Sequence, residues 1–179
     1  DTQPPTYTFS PIGCIESCFR TKNGTPRQAG ISRSAPARLT ISSPRLNNPG
    51  FSLDDLAGFS HVWVLFVFHL DENAAESEGE VAATGMVKSK VAPPRLGGRK
   101  VGVFATRSPH RPAPIGLSLV RLAEVDGATI TLEGIDLVDG TPVLDIKPYI
   151  PTFDQPAESQ SGIPSTVQPV VPNWATPEA

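Results

Sequence analysis

The sequence predicts an all-β (mainly β) fold: a small closed or nearly closed β-barrel with one or few short helices. Twenty Pro and fifteen Gly among 179 residues punctuate the chain too often for long helices and often enough for short strands joined by turns. Short β-branched and aromatic runs follow one another closely, and closing such a sheet on itself removes unpaired edges. An apolar content of 39% suits one domain with a sizeable core and some peripheral tail.

The elements follow in order. Residues 1–6 are polar and Pro-bearing, and apolar residues recur over 7–15 in a segment that reads as the first strand; the lead-in is set at 1–9 and the barrel domain at 10–151. Residues 21–33, rich in Asn, Gly, Thr, Pro and Arg, form a loop too long for a simple turn, and such loops often bind something. Residues 37–41 read as a short strand. Ser52 is expected to N-cap a short helix that carries Leu53 and Leu56 inward. Residues 62–70, a nearly unbroken apolar run, read as a central strand buried on both faces. An acidic insertion follows at 72–86, then a strand at 101–106. Residues 117–125 and 128–132 form a hairpin turning at Asp126-Gly127. Short strands at 135–138 and 143–146 flank the turn Asp139-Gly140-Thr141-Pro142. Pro, Ser, Gln and Thr then dominate, so 152–179 is expected to be an irregular tail.

The net charge of −3 is unevenly spread. Residues 87–111 carry Lys88, Lys90, Arg95, Arg99, Lys100, Arg107 and Arg111 without one Asp or Glu, while Asp71, Glu72, Glu76, Glu78 and Glu80 crowd the preceding segment. The basic run suits either a solvated face or an anionic partner. Cys14 and Cys18 are the only cysteines, with no nearby His to complete a metal site, so no metal is expected. With no signal peptide and no long apolar span, a cytoplasmic protein with no membrane partner is the expectation.

Walker A, GxGxxG, HExxH and GxSxG signatures are absent, which disfavours a standard nucleotide or dinucleotide fold. The polar residues left for chemistry sit at strand ends. His69 closes the most apolar run and reads either as a backbone-bonded strand-end histidine or as the mouth of a pocket. Arg107 and Arg111 flank Pro109, either to clamp a carboxylate or phosphate or to bridge to Asp136 and Asp145. Asp139 accepts local N–H groups in its turn or takes part in catalysis. Asp145 and Lys147, two residues apart on a strand, share one face and suggest an ion pair or a lined cavity.

TPRQ at 25–28, FSHVWVLFVFH at 59–69, PPRLGG at 93–98, GVFATRSPHRPAPIGLSLV at 102–120 and LVDGTPVLDIKPYIP at 137–151 together resemble the TrmO/TsaA-like family. The resemblance implies a dimeric β-barrel that uses S-adenosylmethionine (SAM) to methylate N6 of N6-threonylcarbamoyladenosine at position 37 of tRNA, with SAM near the subunit interface. By motif, Pro26, Arg27, Gln28, His69, Leu70, Arg107, Leu117, Ser118, Asp136, Leu137, Val138 and Asp139 would hold SAM. Arg95, Arg99, Lys100, Arg111 and Lys147 would meet substrate or tRNA, and His69 or Asp139, directly or through a water, would take the N6 proton. Longer members carry a further C-terminal region, which residues 170–174 would begin. The competing readings are a non-catalytic SAM- or nucleoside-sensing module and a SAM-independent small-molecule hydrolase or lyase.

Overall fold

The computed structural model describes residues 5–70 and 87–155; the acidic insertion expected at 72–86 and nearly all of the expected tail lie outside the described residues. The chain divides into two compact units, one formed by Asp1–Met86 with Pro112–Tyr149, the other by Val87–Arg111 with Ile150–Ala179.

The first unit is a closed six-stranded antiparallel barrel. Its strands are β1 (Gly13–Ser17), β2 (Pro36–Thr40) and β3 (His61–Val67), and, after β4 (Lys90–Val91) and β5 (Val101–Gly102) of the second unit, β6 (Ile115–Asp126), β7 (Thr129–Glu133) and β8 (Pro142–Pro148). Around the barrel the order is β1-β2-β7-β6-β3-β8, and β8 pairs back to β1. Period-two alternation fills the interior: Ile15, Ala37, Leu39, Val62, Val64, Phe66, Val120, Leu122, Ile130, Leu132 and Val143 are buried in one cluster. The Phe66 ring occupies the space that a side chain at Gly116, its partner across β3 and β6, would need. The expected β6–β7 hairpin is present, with Gly127 at φ 55° in the turn.

Several expectations are corrected. β3 is buried on one face only; Trp63, Leu65 and Val67 are half-buried on the other, because a closed sheet has an inside and an outside. The first strand begins at Gly13, not at 7, and Tyr7 and Phe9 are exposed; Gly13 comes so close to the Thr40 carbonyl that no Cβ would fit. The expected helix is a 3-10 turn, Gly50–Leu53, entered from Pro49, and Ser52 lies inside it with its hydroxyl donating to the Pro49 carbonyl. Leu53 is nonetheless buried and Leu56 packs against the core. Residues 135–138 form no strand. Ile135 and Leu137 are buried, but the Leu137 carbonyl accepts from the Ser17 hydroxyl and the Val138 carbonyl from Thr141. The strand expected over 101–106 stops at Gly102 and gives way to a 3-10 turn, Val103–Ala105.

Strand polarity decides which loops meet. β1, β3 and β7 end where β2, β6 and β8 begin, so residues 18–35, 68–70, 112–114 and 134–141 gather at one end of the barrel. The opposite end receives residues 41–60 and the Asp126-Gly127 turn.

Candidate functional site

At the first end, the long 18–35 loop is rooted by Phe19 and Ala29, which pack partly buried against the core. Backbone bonds then stitch it to the 134–141 loop. Gly30 N–H donates to the Gly134 carbonyl at 2.9 Å, Gly134 N–H to Ala35 at 3.0 Å, and Asp139 N–H to Phe19 at 2.7 Å. Gly134 takes φ 76°, which suits glycine at this junction.

Asp139 is the side-chain clamp. Its Oδ1 accepts from Ser17 N–H at 2.9 Å and its Oδ2 from the Arg20 guanidinium at 2.8 Å. The local turn is present, through Thr141 N–H to the Val138 carbonyl, but the carboxylate serves a contact 122 residues away rather than its own turn. A charge-assisted contact of this kind contributes about 1.5–3 kcal/mol when sheltered and less at the exposed Arg20 end. Asp136 accepts at 2.7 Å from Ser118, which is buried on the inner face of β6, so a polar bond joins the barrel interior to this loop.

His69 follows Phe68, whose ring stands edge-on to Phe66 at 5.1 Å over the core. Burial pushes the imidazole below its ordinary value near 6.5, the Val67 carbonyl pulls back, and the charge of Lys22 pushes down again. Histidine 69 is therefore neutral at neutral pH, and Lys22 of the 18–35 loop lies within electrostatic reach of it. Leu70, just beyond, is 40% exposed.

The structure thus gathers Pro26, Arg27, Gln28, His69, Leu70, Ser118 and Asp136–Asp139 at one barrel end. Leu117 is different: strand alternation turns it to the outer face, opposite in direction to Ser118. There it pairs with Leu65, between the Trp63–Leu119 and Val67–Ile115 pairs, on a continuous apolar outer surface. Sequence reasoning missed Ser17, Arg20 and Lys22, because their roles depend on contacts across more than a hundred residues or between loops.

In the second unit, β4 and β5 form a two-stranded ladder, and Arg95 lies in the 3-10 turn Pro94–Leu96. Lys88, Lys90, Arg99 and Lys100 are exposed, and Arg107 also belongs to this unit. Arg111 serves its own loop, donating to the Thr106 carbonyl at 3.0 Å and to Val103 at 3.4 Å. Lys147, in the first unit, is paired with Asp145 at 2.7 Å on the exposed face of β8, which realises the expected ion pair. A cavity of about 390 Å³, lined by Ile41, Ser43, Arg45, Leu53 and Asp145 among others, lies toward the opposite end and includes none of the SAM candidates.

The tRNA-methyltransferase O N-terminal domain model matches residues 14–155. The chain belongs to that family. A human tRNA (adenine(37)-N6)-methyltransferase is 53% identical over 146 residues, which are 82% of this chain and 31% of that protein. The Escherichia coli K12 protein of the same name is 45% identical over 150 residues, covering 81% of this chain and 58% of that one. A Pseudomonas aeruginosa protein named a putative S-adenosylmethionine-dependent methyltransferase, RcsF, is 44% identical over 95% of this chain and 69% of its own length. A crystal structure of TrmO from Pseudomonas aeruginosa matches with a TM-score of 0.64 at 39% identity, over 89% of this chain and 63% of that one. The chain therefore spans about a third of its human relative and under two thirds of the Escherichia coli one. Among its described residues no helix is long and apolar enough to cross a membrane.

Proposed function

We propose that this chain is a SAM-dependent tRNA methyltransferase acting on N6 of N6-threonylcarbamoyladenosine at position 37, with its cofactor site at the barrel end that gathers the 18–35 and 134–141 loops. The observation that carries the site is the cross-linking of those loops through Ser17, Arg20 and Asp139 at the barrel end where β3 runs out into His69. The residue types suit SAM. Asp136 and Asp139 offer negative charge to its ammonium and sulfonium groups, Arg27 and Lys22 offer positive charge to its carboxylate, and the exposed Leu70 offers an apolar surface to its adenine.

Bound SAM supplies an electrophilic methyl group on a sulfonium. The chain's own task is to hold the acceptor nitrogen in line and to take its proton. The carbamoyl carbonyl makes the N6–H more acidic but N6 less nucleophilic, so proton removal accompanies attack. Asp139 has both oxygens engaged, which favours a positioning role for it and leaves His69 as the proton acceptor. Its neutral imidazole has the lone pair the task needs, and a neutral ring does not repel the sulfonium.

The exposed cations of the second unit, Lys88, Lys90, Arg99 and Lys100, are offered to tRNA phosphates, together with Lys147, whose surface pairing with Asp145 is easily exchanged. The homodimer that the family resemblance implies is part of the same proposal. Trp63, Leu65, Val67, Ile115, Leu117 and Leu119 form the apolar face it would bury. A cytosolic location goes with a tRNA substrate.

The test is to incubate the chain with methyl-labelled SAM and two matched tRNAs, with and without threonylcarbamoyl on adenosine 37, and to analyse nucleosides by mass. Label on the modified nucleoside alone is the expected result. SAM binding without transfer to either tRNA would turn the reading toward a sensing module, and absence of SAM binding would overturn it.

A further inference from the structure

The second unit presents an aromatic ring that the reading above does not use. Phe104 is 80% exposed, although its neighbour Val103 is 4% exposed and the two share one 3-10 turn. This turn is fastened on several sides. Val103 N–H donates to the Ser89 carbonyl at 3.0 Å, extending the β4–β5 ladder. The Val103 carbonyl accepts from Thr106 N–H at 3.1 Å and the Thr106 hydroxyl at 2.8 Å, and Arg111 spans the carbonyls of Val103 and Thr106. Ser108 N–H then donates to the Thr106 hydroxyl at 3.2 Å. A ring held outward by a bonded turn is presented rigidly, so little conformational freedom is lost when something covers it.

The surroundings select the occupant. The ladder sets the turn next to Lys88 and Ser89, Arg107 and Arg111 follow in the same loop, and residues 87–111 contain no carboxylate. An apolar protein surface does not require this excess of cations; a polyanion with aromatic faces does. We infer that Phe104 is a stacking platform for one unpaired base of the RNA substrate, with the exposed Lys88 and Lys90 taking the adjoining phosphates. This deepens the tRNA reading and rests on it for the identity of the RNA. Stacking needs a base outside a duplex, which a loop near the anticodon provides.

The experiment reads binding alone, so it stays informative even if no methyl transfer occurs. An anticodon stem-loop RNA carrying 2-aminopurine at single loop positions is titrated with the wild-type chain and with Phe104→Leu, Phe104→Trp and Phe153→Ala. Phe153 is 82% exposed in the same unit but has no cation within the five residues on either side. Phe104→Leu should weaken binding about tenfold to a hundredfold and abolish quenching at one loop position. Its slope of log affinity against log salt should match that of the wild type, because no phosphate contact is lost. Phe104→Trp should restore affinity and quenching, and Phe153→Ala should stay near wild type. Unchanged affinity in Phe104→Leu, or an equal loss in Phe153→Ala, would overturn the assignment. A change in the self-association of Phe104→Leu without RNA would also overturn it, by assigning the ring to a second copy of the chain.

Discussion

The two ends of the barrel are built from the same strands but by different means. The end that receives residues 41–60 carries the 3-10 turn Gly50–Leu53 and the Asp126-Gly127 turn, and an open cavity of about 390 Å³ lies against residues 8–12, 41–53 and 145–146. At the other end two long loops, 18–35 and 134–141, are tied together by backbone bonds and by the Asp139 carboxylate shared between Ser17 and Arg20, and a part-buried Ser118–Asp136 bond ties the second loop to β6. Among the described residues, the cavity lies toward one end and the polar cross-linking at the other. Chemistry needs groups fixed in place more than it needs empty volume, so the comparison teaches that the tied end is the one to test.

Replacing His69 should break the comparison most severely. For His69→Gln, methyl transfer should fall by about a hundredfold to ten-thousandfold, the range of general-base contributions, and by far more than SAM affinity does. The pH profile supplies a second readout. Because burial lowers the imidazole pKa, wild-type transfer should be flat at neutral pH and fall only as pH drops below the ordinary value near 6.5, and the variant should lose that acid limb. The stability contribution has the same sign. The unfolded chain protonates His69 first, so the protein loses stability as pH falls through 6.5 and regains it above.

Asp139→Asn should come next. It keeps the shape but weakens the bonds to Ser17 and Arg20, so transfer should fall about tenfold to a hundredfold, with a matching rise in the dissociation constant for SAM measured by calorimetry. Gly116→Ala sharpens the comparison from the core. Its methyl group must displace the Phe66 ring, on which Phe68 and then His69 are built, and denaturant melts should show a loss of about 1–3 kcal/mol. Arg45→Ala, at the cavity, should be the smallest effect, with transfer within about twofold of the parent, as for most surface changes remote from a site.

Much of this architecture is legible in the sequence because it rests on local signals. The β6–β7 hairpin follows from Asp126-Gly127 between alternating runs, and the polar face of Asp145 and Lys147 from their spacing. The errors arise where long-range contacts override local pattern. Ile135 and Leu137 alternate as a strand would, but the backbone around them bonds to Ser17 and to its own turn. The turn residue Asp139 looks locally satisfied, and only the barrel's closure brings Ser17 and Arg20 to it. The site motifs fall in loops that meet at one end of the barrel. They do not reveal that Leu117 and Ser118, adjacent in one motif, face outside and inside the barrel.

The most direct test of the central claim is an amide-shift titration of the isotopically labelled chain with SAM. The account predicts perturbations at residues 17–28, 69–70 and 136–140, with residues 41–53 unmoved. Perturbations concentrated at 41–53 and 145–146, around the cavity, would contradict it.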